Sequence, residues 1–494
     1  MPNTPARRAV STPLRILAEQ AFSRAAGAPL VAGNAVRVLK DADENFPAWL
    51  EAIAAAKRVI FFEHYIVADD AVGREFVAAL TERARAGVRV FAIHDWFGDL
   101  GVATSRLWRP LIAAGGEVRR FNPPRLDSPF AWLTRDHRKL IAVDGKVGFV
   151  SGLCVSSKWL GDPARGTESW RDQGIEVRGP AVADIEEAFA QVWATAGPPL
   201  GTADFTPASD IEVCGDVTLR VLATAPNIAG LYRLDQLIAA MATQTLWLMD
   251  AYFIGVAPYV QALRAAALDG VDVRLLVPGT SDVPLVAHVS RSGYRLLLES
   301  GIRVFEWNGP MMHAKVAVAD ARWARVGSTN LNLASWIGNY ELDVAIEDVP
   351  VAARMAEMYE EDLTRATEVV LDRHSRVRVA RKRRRAQRYP RVSGTAVRAA
   401  AGALRLGHTV GAAITNRRVL ARTEASIMAV FGAALIGLTT VGVIWPIVLA
   451  APIVLIAGWV GIALVVRAIE IYIHPRDQKP VTPEKKPNLP AESL

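Results

Sequence analysis

The sequence predicts an α/β protein built from two similar halves and followed by a helical membrane hairpin near the carboxyl end. Three observations indicate this architecture. A short motif of histidine, lysine and aspartate occurs twice, and apolar strand-like segments alternate with helical patterns around both copies. A stretch of 42 residues, 425–466, contains no charged side chain. The 494 residues are enough for two or three domains, each with its own core.

The repeated motif fits the pattern H-x-K-x-x-x-x-D in both copies. The two histidines are 176 positions apart, and each copy runs into an apolar segment and then a turn of small residues. Two matches in similar surroundings are rare by chance, so the sequence predicts a duplicated unit that brings both motifs to one site. The candidate catalytic residues are His137, Lys139 and Asp144 in the first copy, and His313, Lys315 and Asp320 in the second.

The motif supplies the chemistry that exchange at a phosphodiester requires. On a strand, H-x-K places histidine and lysine on the same face, and the residue between them points away. Two copies provide one neutral imidazole as a nucleophile, a second imidazole as an acid, and two ammonium groups that attract an anion. Attack on phosphorus, protonation of the leaving alkoxide and stabilisation of the non-bridging oxygens need this set, without a metal ion or other cofactor.

Composition narrows the class of partner. The formal net charge of +7 indicates an anionic partner, which is either a phospholipid surface or nucleic acid. The two cysteines, Cys154 and Cys214, predict no disulfide framework and fit a reducing compartment. The first residues of the chain lack the apolar segment of a secretory signal, so we expect none.

With both motifs recognised, the chain resembles the phospholipase D superfamily and, within it, the bacterial cardiolipin synthases. The resemblance is strongest around the second motif, in Ala-Tyr-Phe at 251–253, Pro-Gly-Thr-Ser-Asp at 278–282 and Gly-Ser-Thr-Asn at 327–330. It covers about residues 36–371. It implies a bilobed domain in which two phospholipase D-like α/β halves meet at one active site.

The resemblance also implies roles for individual residues. The motif histidines and lysines contact the phosphate, and Ser328 and Asn330 help to bind it. His137 is expected to be the nucleophile and His313 the acid, although the residues themselves leave the order of the two histidines open. The motif aspartates are expected to be more structural than chemical.

Two acidic residues complete the predicted site. In this family carboxylates further along the chain orient the histidines, and the candidates are Asp172 and Glu341. A carboxylate on the far ring nitrogen selects the tautomer and favours the imidazolium. We group both residues with Ser328 and Asn330 on the substrate side of the site.

The first half departs from the family pattern. Gly152 and Cys154 stand where the second half has Ser328 and Asn330, so we expect weaker phosphate contacts from the first half. The loop at 158–171 is rich in glycine, arginine and tryptophan. Its tryptophans either form a lip that faces the substrate or pack the loop itself.

Changes in composition divide the chain into segments. The predicted segments are an amino-terminal segment at 1–30, a first half at 31–195, a linker at 196–210, a second half at 211–371, a basic and interfacial segment at 372–424, a transmembrane hairpin at 425–466 and a disordered tail at 467–494.

The carboxyl-terminal segments predict attachment to an anionic membrane. The run Arg-Lys-Arg-Arg-Arg at 381–385 has no interleaved aromatic residues and precedes the apolar stretch, which favours lipid headgroups over nucleic acid. The uncharged stretch is long enough for two spans, and Trp-Pro at 445–446 interrupts its middle. Positive flanks at both ends favour the cytoplasm, so we expect the catalytic halves on the cytoplasmic face of a bacterial cell membrane. One long kinked helix is the alternative. Many similar synthases carry their spans before the catalytic halves, and the placement here differs.

The sequence therefore predicts a membrane-anchored phosphatidyltransferase that converts phosphatidylglycerol to cardiolipin and glycerol through a phosphohistidine. Three alternatives remain open. A phospholipase D hydrolase releases phosphatidic acid, a nuclease-like phosphodiesterase acts on nucleic acid, and a scaffold binds lipid without turnover.

Overall fold

A computed structural model of the chain describes residues 13–124, 133–162, 166–371 and 377–379, together with scattered helical residues between 439 and 465. The chain divides into two compact units. One unit consists of Met1–Pro123 with Trp132–Met428 and holds every strand named below. The other consists of Pro124–Ala131 with Ala429–Leu494.

The first half alternates strands and helices as predicted. Its elements are α1 (Pro13–Ala26), β1 (Val31–Lys40), α2 (Asp41–Ala55), β2 (Val59–His64), α3 (Ala71–Arg85), β3 (Arg89–Asp95), α4 (Arg109–Ala113), β4 (Glu117–Phe121), β5 (Lys139–Val143), β6 (Val147–Ser151), α5 (Ser157–Leu160), β7 (Gln173–Arg178) and α6 (Val182–Thr195). The predicted linker contains two short 3₁₀ turns, Thr202–Asp204 and Ala208–Asp210.

The second half repeats this alternation. Its elements are β8 (Val217–Thr224), α7 (Gly230–Met241), β9 (Thr245–Met249), α8 (Ala257–Leu268), β10 (Asp272–Pro278), α9 (Pro284–Leu298), β11 (Arg303–Trp307), β12 (Val316–Ala319), β13 (Trp323–Gly327), β14 (Glu341–Ile346), α10 (Val349–Leu363), β15 (Ala366–Leu371) and β16 (Val377–Val379). A single π-helical turn, Ala334–Gly338, precedes β14.

The strands of the described ranges form one mixed sheet. The first half has the strand order β1-β7-β6-β5-β2-β3-β4, and the second half repeats it as β8-β14-β13-β12-β9-β10-β11. β1 and β8 pair antiparallel, with Val31 opposite Leu219, and join the two sets. The mixed α/β class is therefore confirmed, and the order of strands follows the duplication of the motif.

The apolar core of the described ranges consists of three clusters. The largest joins strands of both halves with the inner faces of α6 and α10, through side chains such as Phe189, Trp193 and Tyr359. A second cluster covers the other face of the first half with α2 and α3, where Trp49 and Phe76 are buried. A third packs α7 and α8 on the second half. Because helices cover both faces, strands such as β2, β5 and β13 are buried along their whole length rather than in alternation.

The motif strands begin two matching hairpins. β5 pairs with β6 and β12 with β13, both antiparallel. Each hairpin turns through two residues of positive φ, which are Asp144 (56°) and Gly145 (67°) in the first, and Asp320 (52°) and Ala321 (48°) in the second. The hairpins therefore share their geometry, although only the first has the glycine that this conformation favours.

The end of the second half differs from the prediction. The sequence pattern predicts a helix over 352–371, whereas α10 ends at Leu363 and β15 follows it. Val369 pairs with Val304 on β11, and β16 then extends the sheet past the predicted boundary at 371. The β-branched residues of this segment gain ladder hydrogen bonds at an open sheet edge, which a local pattern does not reveal.

The amino-terminal segment is part of the second half rather than a separate piece. Helix α1 packs along α7. The buried guanidinium of Arg220 on β8 donates to the hydroxyl of Ser23 at 2.6 Å and to the carbonyl of Ala28 at 3.2 Å. The predicted boundary at residue 30 therefore does not separate independent structures.

The predicted transmembrane hairpin, the basic run and the tail lie almost wholly outside the described residues. Among the residues that are described, no helix combines the length and the apolar character that crossing a membrane requires.

Candidate active site

Two histidines lie where the halves meet, and each is tied to a carboxylate of the other half. The ring nitrogen Nδ1 of His137 is 2.9 Å from Oε2 of Glu341. Nδ1 of His313 is 2.8 Å from Oδ2 of Asp172. All four residues are buried. Each imidazole is therefore oriented by the opposite half, and its Nε2 is left for reaction.

The backbone reinforces these crossed pairs. The backbone N–H of His137 donates to the carbonyl of Tyr340 at 2.9 Å, and that of His313 donates to the carbonyl of Arg171 at 2.7 Å. Tyr340 and Arg171 each directly precede a carboxylate of the pairs. In each pair, the residue whose carbonyl accepts the histidine N–H is thus followed directly by the residue whose carboxylate contacts the histidine ring. This local two-fold relation brings the two motifs together.

The motif lysines are buried beside the histidines. The ammonium of Lys139 donates to the carbonyl of His137, and that of Lys315 donates to the carbonyl of His313. Burial lowers the pKa of Lys315 to about 8, although Asp172 opposes this shift. Both lysines act to lower the pKa of both imidazoles, so the four groups are close enough to interact electrostatically. This arrangement attracts an anion.

The two imidazoles are neutral at neutral pH. Burial, with repulsion from Lys139 and Lys315, holds the pKa of His137 well below its usual value of 6.5. Burial and repulsion from Lys315 lower the pKa of His313 to about 4, against attraction from Asp172. A neutral imidazole has a free lone pair, and an anion bound between the histidines raises both pKa values.

The two partner carboxylates differ in charge. Burial raises the pKa of Glu341 to about 7, although Lys139 and hydrogen bonds from neighbouring side chains oppose the shift. Burial also acts to raise the pKa of Asp172, but attraction from His313 and its hydrogen bonds outweigh it and hold the pKa below the usual value. Asp172 therefore stays ionised to a lower pH than Glu341 does.

Aromatic rings enclose the imidazoles unequally. Tyr65 meets His137 edge-on at 4.8 Å between centroids, and Tyr252 meets His313 in the same way at 5.7 Å. His313 also contacts Trp159 at 5.4 Å and Trp170 at 6.0 Å. The tryptophans of the predicted loop therefore reach from the first half to the histidine of the second.

Sequence reasoning missed the two tyrosines. Tyr65 follows β2 and Tyr252 follows β9, which are equivalent strands of the two halves. Their rings also lie near the motif lysines, with Nζ of Lys139 5.3 Å from the Tyr65 centroid and Nζ of Lys315 5.9 Å from that of Tyr252. The available signal was a tyrosine shortly after each of two equivalent strands, one residue past β2 and three residues past β9.

The residues predicted to bind phosphate take different positions. Ser328 is fully buried, and its hydroxyl donates to Oε2 of Glu341 at 2.6 Å. The side-chain oxygen of Asn330 is buried and accepts no hydrogen bond within the described part of the chain. Asp172 and Glu341, grouped above on the substrate side, contact the histidines. In this structure Ser328 therefore supports a histidine partner, whereas the amide of Asn330 is available to a ligand.

The motif aspartates lie at the far ends of their strands. The carboxylate of Asp144 accepts the backbone N–H groups of Lys57, Arg58 and Val59 at 2.7 to 2.9 Å. That of Asp320 accepts the equivalent groups before β9. A strand of five residues, roughly 16 Å, lies between Asp144 and the motif histidine. Their inclusion among the catalytic residues was therefore wrong, and both tie a hairpin turn to the strand beside it.

Arg138, the residue between the histidine and the lysine of the first motif, links the two halves through hydrogen bonds. The guanidinium of Arg138 is fully buried. It donates to the carbonyls of Glu341 and Thr224 in the second half, both at 3.0 Å, and to the carbonyl of Ala188 and the side chain of Gln191 on α6. It holds the backbone of the residue whose side chain orients His137.

No group of three or more histidine, cysteine, aspartate or glutamate side chains is arranged to hold a metal ion within the described ranges.

Comparison with known proteins identifies relatives of the whole catalytic region. A family profile described as "Cardiolipin synthase, PLD-like domain" matches residues 235–363. The chain is 34% identical over 353 residues to cardiolipin synthase A of Pseudomonas aeruginosa, which covers 71% of each chain. It is 32% identical over 349 residues to the cardiolipin synthase of Alkalihalophilus pseudofirmus, which covers 69% of this chain and 68% of the relative.

A solved structure shares the fold. The crystal structure of phosphatidylserine synthase from Haemophilus influenzae superposes with a TM-score of 0.58 at 15% identity, and the match covers 71% of this chain and 91% of that one. At this identity the likeness concerns the fold alone. The fold, the duplicated histidine motif and the identity to the curated relatives together establish that the chain belongs to the cardiolipin synthase family of PLD-like proteins.

Proposed function

We propose that this protein is a phosphatidyltransferase that converts two molecules of phosphatidylglycerol to cardiolipin and glycerol. The observation that carries the proposal is the pair of crossed contacts, His137 with Glu341 and His313 with Asp172. Two oriented imidazoles and two lysines around one space fit a phosphodiester held between the halves of a bilobed domain.

The reaction has two balanced steps. Nε2 of His137 attacks phosphorus and forms an N–P bond, while the P–O bond to glycerol breaks and His313 gives its Nε2 proton to the departing oxygen. His313 then takes the proton from the terminal hydroxyl of a second phosphatidylglycerol, whose oxygen attacks phosphorus. The N–P bond breaks, and cardiolipin leaves with the enzyme restored.

The charges of the two pairs support this assignment of roles. An acid must hold a proton in the substrate complex, and the firm anion Asp172 stabilises the imidazolium of His313. The nucleophile must stay neutral, and burial with repulsion from both lysines holds the pKa of His137 well below its usual value. The substrate phosphate supplies the negative charge that raises the pKa of His313 from about 4 towards neutrality. The roles of the individual residues are part of the proposal.

The product decides between transfer and hydrolysis. Water competes with the second lipid for the phosphohistidine, so a transferase keeps its site poor in water or rich in lipid acceptor. We expect purified full-length protein in phosphatidylglycerol vesicles to form cardiolipin and glycerol in equal amounts. Phosphatidic acid without cardiolipin would instead identify a phospholipase D hydrolase. Release of nucleotides from DNA or RNA without lipid turnover would identify a nuclease.

We also propose that the chain is anchored in the bacterial cell membrane with its catalytic halves on the cytoplasmic side. The uncharged stretch at 425–466 and its positive flanks support this location. An anchored protein stays with the membrane through washes with 1 M salt and with alkaline carbonate. This salt concentration is roughly ten times the ionic strength at which surface charges are already screened. Release by salt alone would show attachment through the basic run only.

A further inference from the structure

In each histidine partner the oxygen that faces the imidazole accepts one further donor, and the two donors differ in kind. Oε2 of Glu341, which faces His137, also accepts the hydroxyl of Ser328 at 2.6 Å. Oδ2 of Asp172, which faces His313, also accepts the indole N–H of Trp159 at 2.9 Å. In both pairs a single oxygen receives the histidine and one fixed donor.

The sequence explains why the first half cannot use a serine here. Gly152 occupies the position that Ser328 has in the second half. A Cβ atom at Gly152 would lie 2.2 Å from Oδ1 of Asp172. The shorter aspartate thus fills the space of the missing side chain, and its second donor has to come from elsewhere.

The donor comes from the tryptophan-containing loop at 158–171 of the first half. Trp159 lies on α5, and its carbonyl accepts the backbone N–H of Trp170 at 3.2 Å. The two indole rings are 4.8 Å apart and both contact the ring of His313. Trp159 is only 3% exposed, so it acts on buried groups rather than on a lipid at the surface.

We propose that Trp159 is a positioning residue for the acid and base of the reaction: its indole N–H holds Asp172 in the orientation and charge state that His313 requires. This inference rests on the proposed function. It assigns the tryptophan loop a specific task in the first half. The lost hydroxyl is replaced by an indole that serves the histidine of the other half.

The hydrogen bond acts on the carboxylate in two ways. It prevents rotation of Asp172 away from His313, and it stabilises the ionised form. Without it the pKa of Asp172 rises towards the value that burial favours. Activity that depends on ionised Asp172 is then lost at a higher pH than in the wild type.

The first test compares Trp159→Phe with Trp170→Phe in the full-length protein. Both variants keep a ring beside His313, but only the first removes a donor to Asp172. A hydrogen bond to a charged group corresponds to roughly a 10- to 100-fold effect. We expect Trp159→Phe to lower kcat by about this factor with KM unchanged, and to move the acid limb of the pH profile upward. Trp170→Phe keeps the wild-type acid limb.

A double-mutant cycle tests whether Trp159 acts through Asp172. In an Asp172→Asn background the carboxylate is gone, so adding Trp159→Phe should lower kcat by less than about twofold. Full additivity of the two effects would overturn the inference. An unchanged acid limb in Trp159→Phe, with a loss of thermal stability as its only effect, would also overturn it by showing a structural role.

A lipid-free measurement separates this inference from the proposed function. In protein labelled with 5-fluorotryptophan, the ¹⁹F resonance lost in Trp159→Phe belongs to Trp159. We expect this resonance, and not that of Trp170, to shift on pH titration through the ionisation of Asp172, and to stop titrating in Asp172→Asn. If it titrates while phosphatidylglycerol is not consumed, the positioning role stands and the substrate assignment fails. A Trp159 resonance whose pH titration is unchanged in Asp172→Asn would overturn the positioning role.

Discussion

Nδ1 of His137 lies 2.9 Å from Oε2 of Glu341, a residue 204 positions further along the chain. The reverse pair, His313 with Asp172, spans 141 positions in the opposite sense. Neither half therefore contains a complete histidine with its partner. Catalysis in this arrangement depends on the register of one half against the other.

The roles of the two histidines can be separated with a leaving group that needs no acid. Phosphatidyl-p-nitrophenol releases a stable phenolate, so loss of the acid does not prevent the first step. We expect His313→Ala to release about one equivalent of nitrophenol and to accumulate a phosphohistidine at His137, because the second step lacks its base. His137→Ala should release none. Rapid-quench assay and peptide mass spectrometry measure both.

On phosphatidylglycerol itself the two variants should behave alike. Each should lose at least about 10²–10⁴ of the transfer rate, since each removes a group that moves or accepts a bond in the transition state. With phosphatidyl-p-nitrophenol, a burst of nitrophenol from His137→Ala and none from His313→Ala would reverse the assignment of nucleophile and acid.

Replacing Glu341 should abolish activity but raise thermal stability, and the gain in stability should be larger at higher pH. Folding raises the pKa of Glu341 from 4.5 to about 7, so the folded protein binds more protons than the unfolded chain between these values. Stability from this group therefore falls as the pH rises through that window. Glu341→Gln removes the buried charge, and its apparent Tm should exceed that of the wild type more at pH 8 than at pH 5.

The same variant should be inactive or nearly so. A glutamine still accepts a hydrogen bond from His137 but does not stabilise positive charge on its ring. A Tm difference that is constant from pH 5 to pH 8 would show that Glu341 has no raised pKa. The Tm series is measured by thermal denaturation in one detergent at each pH.

The hairpin turn after the second motif carries backbone strain that a glycine relieves. Ala321 has a φ of 48°, where an L-residue costs roughly 1 kcal/mol more than glycine. We expect Ala321→Gly to raise the apparent Tm by about 1–2 °C without changing activity. The turn lies at the opposite end of the strand from His313, which makes the unchanged activity a control.

The equivalent change in the first hairpin should have the opposite sign. Gly145 has a φ of 67°, and a Cβ there would lie 2.4 Å from Oγ1 of Thr206. Gly145→Ala adds both strain and a steric clash and should cost on the order of 1–3 kcal/mol. Equal Tm shifts for the two variants would contradict this account.

Arg138 should contribute more to stability than an exposed arginine in an ion pair. Its fully buried guanidinium donates to three carbonyls, and Arg138→Met removes this donor from each of them at a cost of roughly 3–5 kcal/mol. Arg37 pairs with Glu176, but 60% of its side chain is exposed, so Arg37→Ala should cost at most about 1 kcal/mol. Comparable losses in thermal denaturation would exclude a fastening role for Arg138.

Much of the fold could be predicted from local patterns. The sequence predicts a helix over 257–268 and strands over 271–277 and 302–306, and α8, β10 and β11 lie within one residue of these positions. Strongly periodic or continuously apolar segments carry their own signal. The segment 366–371 was wrongly predicted as helix, since its strand exists through pairing with β11. Strand pairing at a sheet edge depends on distant residues and leaves little trace in a local window.

The candidate site was predicted only in part for a similar reason. The histidines and lysines form a repeated motif, and Asp172 and Glu341 were named as candidate partners. Neither their crossed assignment nor the tyrosines beside the histidines follow from spacing. The loop that contains Trp159 was recognised as rich in tryptophan, but a hydrogen bond from the indole to Asp172 is visible only in the tertiary structure.

By itself the sequence determined the chemistry available to this protein: a duplicated set of imidazoles and ammonium groups, each set followed by strands whose apolar character requires burial under helices. Tertiary structure alone decided which carboxylate orients which imidazole, and that a tryptophan replaces a serine as the second donor. The physical reason is that a covalent chain specifies which groups are present, whereas hydrogen bonds between groups more than a hundred residues apart exist only after the two halves have come together in a single register.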